Sequence, residues 1–108
     1  MKVSEILNKA VDLIEPEGAW CQNRWAKNSG GVSVPFGWED GAVCWCMDGA
    51  FEKVLGPKGG YRQQLRQAVE DVTGMSPVGF NDSRGRTQAE VVAALRDISD
   101  GFSFHCLV

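Results

Sequence analysis

The sequence predicts a mainly α fold: one compact domain of four helices, with a long Gly/Trp-rich loop region that can hold a short β element. Apolar residues recur at helical spacing in four segments, whereas glycine, proline and tryptophan are concentrated between the first two of them. With 108 residues, 44% hydrophobic and 23% charged, the chain suits a single globular domain, placed at residues 1–108. The predicted helices lie near residues 3–15, 41–55, 61–73 and 87–99.

The first predicted helix, residues 3–15, carries a wide apolar stripe on one face. Ser4 is a residue type that favours the N-cap, the position at which a helix begins. Pro16 restrains the backbone of the residue before it, so the helix is expected to end near Glu15.

Residues 16–40 are predicted to be mostly loop, because they hold four glycines, two prolines and three of the four tryptophans. The alternation of side chains over residues 31–36 indicates a short strand. Pro35 would confine that strand to a sheet edge, because proline has no amide to donate. The tryptophans are expected to fasten this region onto the helices.

The second predicted helix, residues 41–55, is expected to be the central one. On a helical projection its apolar residues cover more than half of the circumference, and only Asp48 and Glu52 cluster on the opposite side. Gly49 lowers the helix propensity by about 1 kcal/mol, so it is expected to allow a close contact with a neighbouring helix.

The third predicted helix, residues 61–73, ends at Gly74, and a loop follows as far as residue 86. The fourth helix begins with a capping box. In it, the Thr87 hydroxyl accepts from the Glu90 amide, and the Glu90 carboxylate accepts from the Thr87 amide. Three residues of the tail are expected to pack back onto the body: Phe102, Phe104 and Leu107.

The four cysteines, Cys21, Cys44, Cys46 and Cys106, do not match a metal-binding or disulfide pattern. In a helix, Cys44 and Cys46 would point to opposite sides, so their thiols could not share a metal ion or form a disulfide. The N-terminus lacks the apolar centre of a signal peptide, and no apolar run reaches the roughly 18 residues of a membrane helix. We therefore expect a cytoplasmic protein with reduced cysteines, no metal, no cofactor and no membrane contact.

An enzyme with a thiol or carboxylate at its centre is one alternative. Cys21 and His105, the single histidine, could act as nucleophile and base, with Asn81 or Asp82 orienting the imidazole. No cysteine lies at a predicted helix N-terminus, where its pKa would be lowered. A small hydrolase or transferase that uses Cys21 or Asp82 stays open, and no catalytic residue is assigned.

Residues 81–87 allow two interpretations. Arg84 and Arg86 precede a helix N-terminus, where free amides favour anions, so the segment could hold a phosphate or a carboxylate of a partner. Alternatively, the segment is an ordered turn in which Asn81 and Asp82 bond nearby amides. The turn is preferred, because the capping box already occupies the amides of the helix.

The charge distribution offers a third functional alternative. The net charge is −3, yet residues 53–86 carry six basic and three acidic side chains. This basic region could bind a nucleotide or a nucleic acid. Pairing with the acidic ends of the chain is the simpler interpretation, and the acidic balance argues against a nucleic-acid partner.

Three short elements together resemble a family of small uncharacterised bacterial and phage proteins. They are Trp20-Cys21-Gln22, Cys46-Met47-Asp48-Gly49-Ala50, and Phe80-Asn81-Asp82 followed by Gly85-Arg86-Thr87. The resemblance covers residues 19–98, and Asn23 departs from it, because a glycine often follows the first element. It implies one domain and a bacterial or phage setting, and it identifies no catalytic residue.

The expected function is that of a small accessory or binding module that acts through protein contacts. No cofactor or catalytic motif occurs, and the aromatic side chains of the Trp-rich segment could serve as interface anchors. The candidate binding residues are Trp20, Trp25, Asn81, Asp82, Arg84 and Arg86. The sequence leaves open the oligomeric state and whether Cys21, Asp82, Arg86 and His105 meet in one cleft.

Overall fold

The computed structural model describes the backbone of residues 2–107 and the side chains of residues 2–101. Within this range the chain forms five helices and one three-stranded sheet. The elements are, in chain order, α1 (Val3–Ile14), β1 (Ala26–Asn28), β2 (Ser33–Val34), β3 (Ala42–Trp45), α2 (Met47–Leu55), α3 (Arg62–Thr73), α4 (Pro77–Asp82) and α5 (Gln88–Leu107). The expectations for the side chains of Phe102, Phe104, His105, Cys106 and Leu107 concern residues outside the described side chains.

The hydrophobic core lies where α1 packs against α5 and α2, and α3 adds to it. The largest fully buried apolar side chains of this core are Ile6, Leu7, Ile14, Met47, Phe51, Leu65, Leu95 and Ile98. The positions predicted for α1 and α3 are confirmed, but the predicted cap is wrong. α1 begins at Val3, and its N-cap residue, Lys2, makes no capping hydrogen bond through its side chain. Of the helices in the described range, none is long and apolar enough to cross a membrane.

The sheet is antiparallel, with the strand order β2-β1-β3. Ala26 lies at its centre, opposite Val34 of β2 and Trp45 of β3. β2 is an edge strand directly before Pro35, as the sequence predicts. At the other edge, Trp20 forms a parallel bridge with Trp45, the last residue of β3. Residues 16–40 therefore carry two short strands, and the sheet attaches them to the helices.

The prediction of one helix over residues 41–55 is wrong in its first part. Ala42–Trp45 is strand β3, and the helix begins only at Met47. Burial alternates at the start of the strand: Val43 is half exposed, whereas Cys44 is buried. A run of four apolar residues is compatible with a helix or with a strand, so its spacing does not distinguish them. Here the pairing with β1 makes the segment a strand. In this extended segment Cys44 and Cys46 lie on the same side, so the geometric argument against a shared site fails.

The loop predicted before residue 86 contains a short helix, α4. Ser76 caps it, with its hydroxyl accepting from the Gly79 amide at 3.1 Å, and Pro77 occupies its first turn. The fourth predicted helix is α5, which begins at Gln88 and extends beyond residue 99 to Leu107. The four-helix, mainly α prediction is therefore correct only in outline, because the described chain has a further helix and a small sheet.

Candidate functional site around Asn81

Asn81, at the end of α4, is fully buried and joins three parts of the chain. Its Oδ1 accepts from the indole Nε1 of Trp20 at 2.7 Å and from the amide of Met47 at 2.9 Å. Its Nδ2 donates to the carbonyl of Cys21 at 3.0 Å and to Oδ1 of Asp82 at 2.9 Å. A side-chain amide can make four hydrogen bonds, and all four are made here. Asn81 thereby ties α4 to the first turn of α2 and to the segment around Trp20 and Cys21, which lies beside β3.

Two further residues tie the same segment to α4. Gln22 donates through Nε2 to the carbonyl oxygens of Asn81 and Ser83, at 3.0 and 3.2 Å. The amide of Asn23 donates to Oδ1 of Asp82 at 2.9 Å. Asn23 has a φ of 65°, in the left-handed region that glycine adopts freely and asparagine tolerates. A glycine, the residue that the resemblance implies at this position, would adopt the same backbone freely.

The start of α2 is pressed against the backbone of Trp25. The amide of Cys46 donates to the Trp25 carbonyl at 3.0 Å, and the Cys46 thiol accepts from the Gly49 amide at 3.2 Å. A Cβ on Gly49 would lie 1.9 Å from the Trp25 oxygen, so no other residue fits without a shift. The close approach expected at Gly49 is confirmed, but its partner is the chain entering β1 and not a neighbouring helix.

A cleft of about 180 Å³ opens beside this junction; we call it the Trp25 cleft. Its lining residues are Asn23, Arg24, Trp25, Cys46, Val78 and Asp82. Trp25 and Val78 are each 36% exposed, so the cleft presents apolar surface to solvent. Two larger surface grooves, of about 340 and 320 Å³, lie between α1 and α2 and along the first turns of α5 beside Glu15, respectively. Their lining includes no buried polar side chain, whereas the Trp25 cleft adjoins the buried Asn81.

The cysteines near the cleft are held as neutral thiols. Burial raises the pKa of Cys46 to about 12, and the carboxylates of Asp48 and Asp82 contribute to the increase. Burial also raises the pKa of Cys21 to about 12, with the neighbouring Cys44 thiol as the next cause. Cys46 caps α2, so the expectation that no cysteine lies at a helix N-terminus is wrong. The position does not activate it, because burial outweighs the effect of the nearby amides.

Metal ligands do not come together in the part of the chain that the structure describes. No group of three or more His, Cys, Asp and Glu side chains there could hold a metal ion. Cys21, Cys44 and Cys46 are buried and free of disulfides. Of the four residues whose convergence the sequence leaves open, Cys21 and Asp82 both contact Asn81. Arg86 lies further along, and the His105 side chain is outside the described range.

The turn interpretation of residues 81–87 agrees with the structure at the helix start. The Thr87 amide donates to Glu90 Oε1 at 2.9 Å, and the Glu90 amide donates to the Thr87 hydroxyl at 3.2 Å, so the capping box is confirmed. The Thr87 amide and hydroxyl both donate to the Glu90 carboxylate and lower the pKa of Glu90, with the nearby Arg86 as a smaller cause. The expectation that Asn81 and Asp82 bond nearby amides is wrong, because the amides they accept from lie in distant segments.

The two candidate anion-binding arginines differ in their surroundings. Arg86 donates through Nε to the Phe80 carbonyl at 2.9 Å, and its Cζ lies 3.8 Å from the centroid of the Phe80 ring. Its Nη1 is 3.5 Å from the Glu90 carboxylate. Arg84 is exposed. The guanidinium of Arg86 therefore packs and bonds within its own segment.

A second buried polar cluster, missed in the sequence, lies on α2. Asp48 and Glu52 are both buried, although their helical positions predict the solvent side. Arg62 contacts both, with N···O distances of 3.5 Å to Asp48 and 3.7 Å to Glu52. Glu52 Oε1 also accepts from the Gly37 amide at 2.9 Å. Burial raises the pKa of both carboxyls, and Arg62 opposes the increase.

The fold and this geometry define a class: a small helical domain with a minor sheet and a buried asparagine. The segments around Trp20, Met47 and Asn81, which carry the resemblance, meet at this asparagine. The chain belongs to DUF6197, a family of unknown function, whose family model matches residues 1–100. Comparisons with curated proteins and with solved structures find no match. Membership confirms the resemblance to an uncharacterised family and brings no catalytic residue with it.

Proposed function

We propose that the protein is a binding module that acts through protein contacts, with the Trp25 cleft as its contact surface. The observation that carries the proposal is a partly exposed tryptophan on a rigid base. The Trp25 carbonyl is bonded to the Cys46 amide and packed against Gly49, while the side chain remains 36% exposed beside Val78. Tryptophans in such settings dominate the energetics of protein interfaces, because they bury a large area at little cost in conformational entropy.

The thiols and the carboxylate nearest the cleft give less support to the enzyme alternative. A thiol with a pKa of about 12 is protonated at neutral pH, and the protonated form is a poor nucleophile. One oxygen of Asp82 is already engaged by the Asn23 amide and the Asn81 side chain. Both groups have structural partners, which favours a binding role over hydrolysis or group transfer.

Two arginines of residues 53–86 likewise favour protein contacts over nucleotide binding. Arg62 pairs with Asp48 and Glu52, and Arg86 pairs with Glu90. Internal pairing reduces the positive charge that this region offers to a phosphate. We also propose a cytoplasmic location in a bacterial or phage setting, which the buried free thiols fit because they persist in reducing compartments.

The proposal is tested with two cleft variants and two matched controls. Trp25→Ala and Val78→Asp alter the cleft. Phe36→Ala removes an aromatic ring that is 43% exposed elsewhere, and Val32→Asp places a charge at a site that is 61% exposed. A protein captured from a bacterial lysate by the parent chain is then purified, and its affinity for each variant is measured by calorimetry.

We expect each cleft variant to weaken binding by about tenfold or more, and each control to stay within about twofold. Thermal unfolding of all four variants confirms that they are folded. Equal affinities for parent and cleft variants would exclude the Trp25 cleft as the contact surface.

A further inference from the structure

The carboxylate of Asp82 is held by one oxygen and leaves the other one available. Its Oδ1 accepts from the Asn23 amide and from Nδ2 of Asn81, both at 2.9 Å. Its Oδ2 accepts no hydrogen bond from the residues that the structure describes. Asp82 lies in the lining of the Trp25 cleft, so a charged acceptor with a fixed orientation borders a partly apolar cavity.

Carboxylates lie close to the inner part of the cleft. Asp48 and Asp82 both act on the Cys46 thiol, which belongs to the lining. Arg24 is the cation in the lining, and its side chain is exposed, so water and salt screen its charge more than that of the half-buried Asp82. A cation is therefore favoured over an anion inside the cleft.

The size and the walls of the cleft select a single side chain. Sites for drug-sized molecules have volumes of about 300–1,000 Å³. The Trp25 cleft, at about 180 Å³, is smaller than these. Trp25 and Val78 supply apolar surface for a hydrocarbon stem, and an indole ring also attracts a cation placed over its face.

We propose that the Trp25 cleft binds an arginine side chain presented by the partner protein. The stem packs against Val78 and the Trp25 ring, and the guanidinium donates to Oδ2 of Asp82. Arginine suits this arrangement better than lysine, because its planar group can stack on the indole while it donates to the carboxylate. The inference rests on the proposed function and specifies the chemistry of the partner.

The test uses N-acetyl-arginine N-methylamide as the probe and its citrulline analogue as a neutral control of similar shape. Binding is followed by the NMR signal of the Trp25 indole N–H, identified by its loss in Trp25→Phe. The protein variants are Asp82→Asn, which keeps an oxygen acceptor for Asn23 and Asn81, and Asp12→Asn. The control removes an exposed carboxylate from a different groove.

We expect the arginine probe to shift the Trp25 signal at concentrations below about 50 mM, the range suited to one side chain. The citrulline analogue and the Asp82→Asn variant should each weaken binding by about fivefold or more, and added salt should weaken it further. Asp12→Asn should leave the affinity unchanged. Equal binding of the citrulline analogue, full affinity in Asp82→Asn, or no shift with the arginine probe would each overturn the inference.

The two proposals fail in different ways. If a purified partner requires Trp25 but the arginine probe does not bind, the protein is a binding module and the arginine preference is wrong. If the probe binds through Asp82 but no partner depends on Trp25, the cleft recognises the cation and the proposed protein contact is wrong.

Discussion

Replacing Asn81 with leucine removes four hydrogen bonds while nearly keeping the volume of the side chain. Of the four partners, Oδ1 of Asp82 keeps its bond from the Asn23 amide. The other three lose their bond in different surroundings: the Trp20 indole, the Met47 amide and the Cys21 carbonyl. Trp20 is half-buried, so water can replace its lost acceptor, but Met47 and Cys21 are buried. A buried group without a partner costs about 1–3 kcal/mol, so two of them reduce the free energy of unfolding by about 2–6 kcal/mol. Small domains have only about 5–15 kcal/mol in total.

Urea unfolding, followed by tryptophan fluorescence, measures this loss directly. Gln67→Leu is the control, because Gln67 makes an exposed hydrogen bond to Asp71 and its loss should change stability by no more than about 0.5 kcal/mol. If Asn81→Leu unfolds within about 1 kcal/mol of the parent, the argument that Asn81 holds the three segments together is wrong.

Asn81→Asp keeps the volume of the side chain, changes its hydrogen bonding and makes the stability of the variant depend on pH. The new carboxylate can still accept from Trp20 and Met47. Its second oxygen takes the place of Nδ2, about 3.0 Å from the Cys21 carbonyl and 2.9 Å from Oδ1 of Asp82, where two acceptors now face it. Burial and the Asp82 charge should raise its pKa in the folded state above the unfolded value of about 3.9. The folded state then binds the proton more tightly, so the variant should recover stability relative to the parent as the pH falls from 7 to about 5. A pH-independent difference would contradict this.

Three further outcomes are expected. Gly49→Ala should lower the free energy of unfolding in urea by about 3 kcal/mol or more, because the new Cβ would lie 1.9 Å from the Trp25 oxygen. The control Gly60→Ala, where the Cβ meets open space, should lower it by about 0.5 kcal/mol at most. Thr87→Ala should lower stability by about 0.5–2 kcal/mol through loss of the cap, and Arg84→Ala by no more than about 0.5 kcal/mol; the reverse order would favour an anion site. The raised pKa of Glu52 means that its contribution is largest at low pH and decreases as the pH rises above 4.5. The stability of the parent relative to Glu52→Gln should therefore decrease between about pH 4 and pH 7, as measured by urea unfolding.

The parts of the fold that sequence predicts well are those whose cause is local. The apolar stripe of α1, the glycine that ends α3 and the capping box at Thr87 each depend on residues within a few positions of one another. The start of α4 has a local signal too, the Ser76-Pro77 pair, which indicates a helix N-terminus. Its surroundings, rich in glycine and polar residues, favoured a loop instead.

The features that the sequence does not predict depend on distant partners. Residues 42–45 become a strand because β1 supplies their hydrogen bonds, and nothing in their own spacing requires it. Asn81 bonds groups that lie 34, 60 and 61 residues away along the chain. Asp48 and Glu52 are buried because Arg62 and the Gly37 amide meet them, while their helical positions alone predict exposure. Candidate residues around Asn81 could be chosen from sequence, but not the bonds that they make.

The arrangement at Asn81 connects the stability of the domain with the shape of its cleft. The side chain that holds α2 and α4 together also fixes Oδ1 of Asp82, and this bond leaves Oδ2 as the available acceptor. A change at Asn81 should therefore reduce both stability and affinity, because it releases the segments and the carboxylate at once. Asp82→Asn keeps the oxygen that Asn81 and the Asn23 amide require, but it removes the charge and replaces the acceptor Oδ2 with an NH2 donor. A domain in which that variant folds normally and yet loses its cationic ligand would separate the two roles, with Asn81 maintaining the site and Asp82 selecting what enters it.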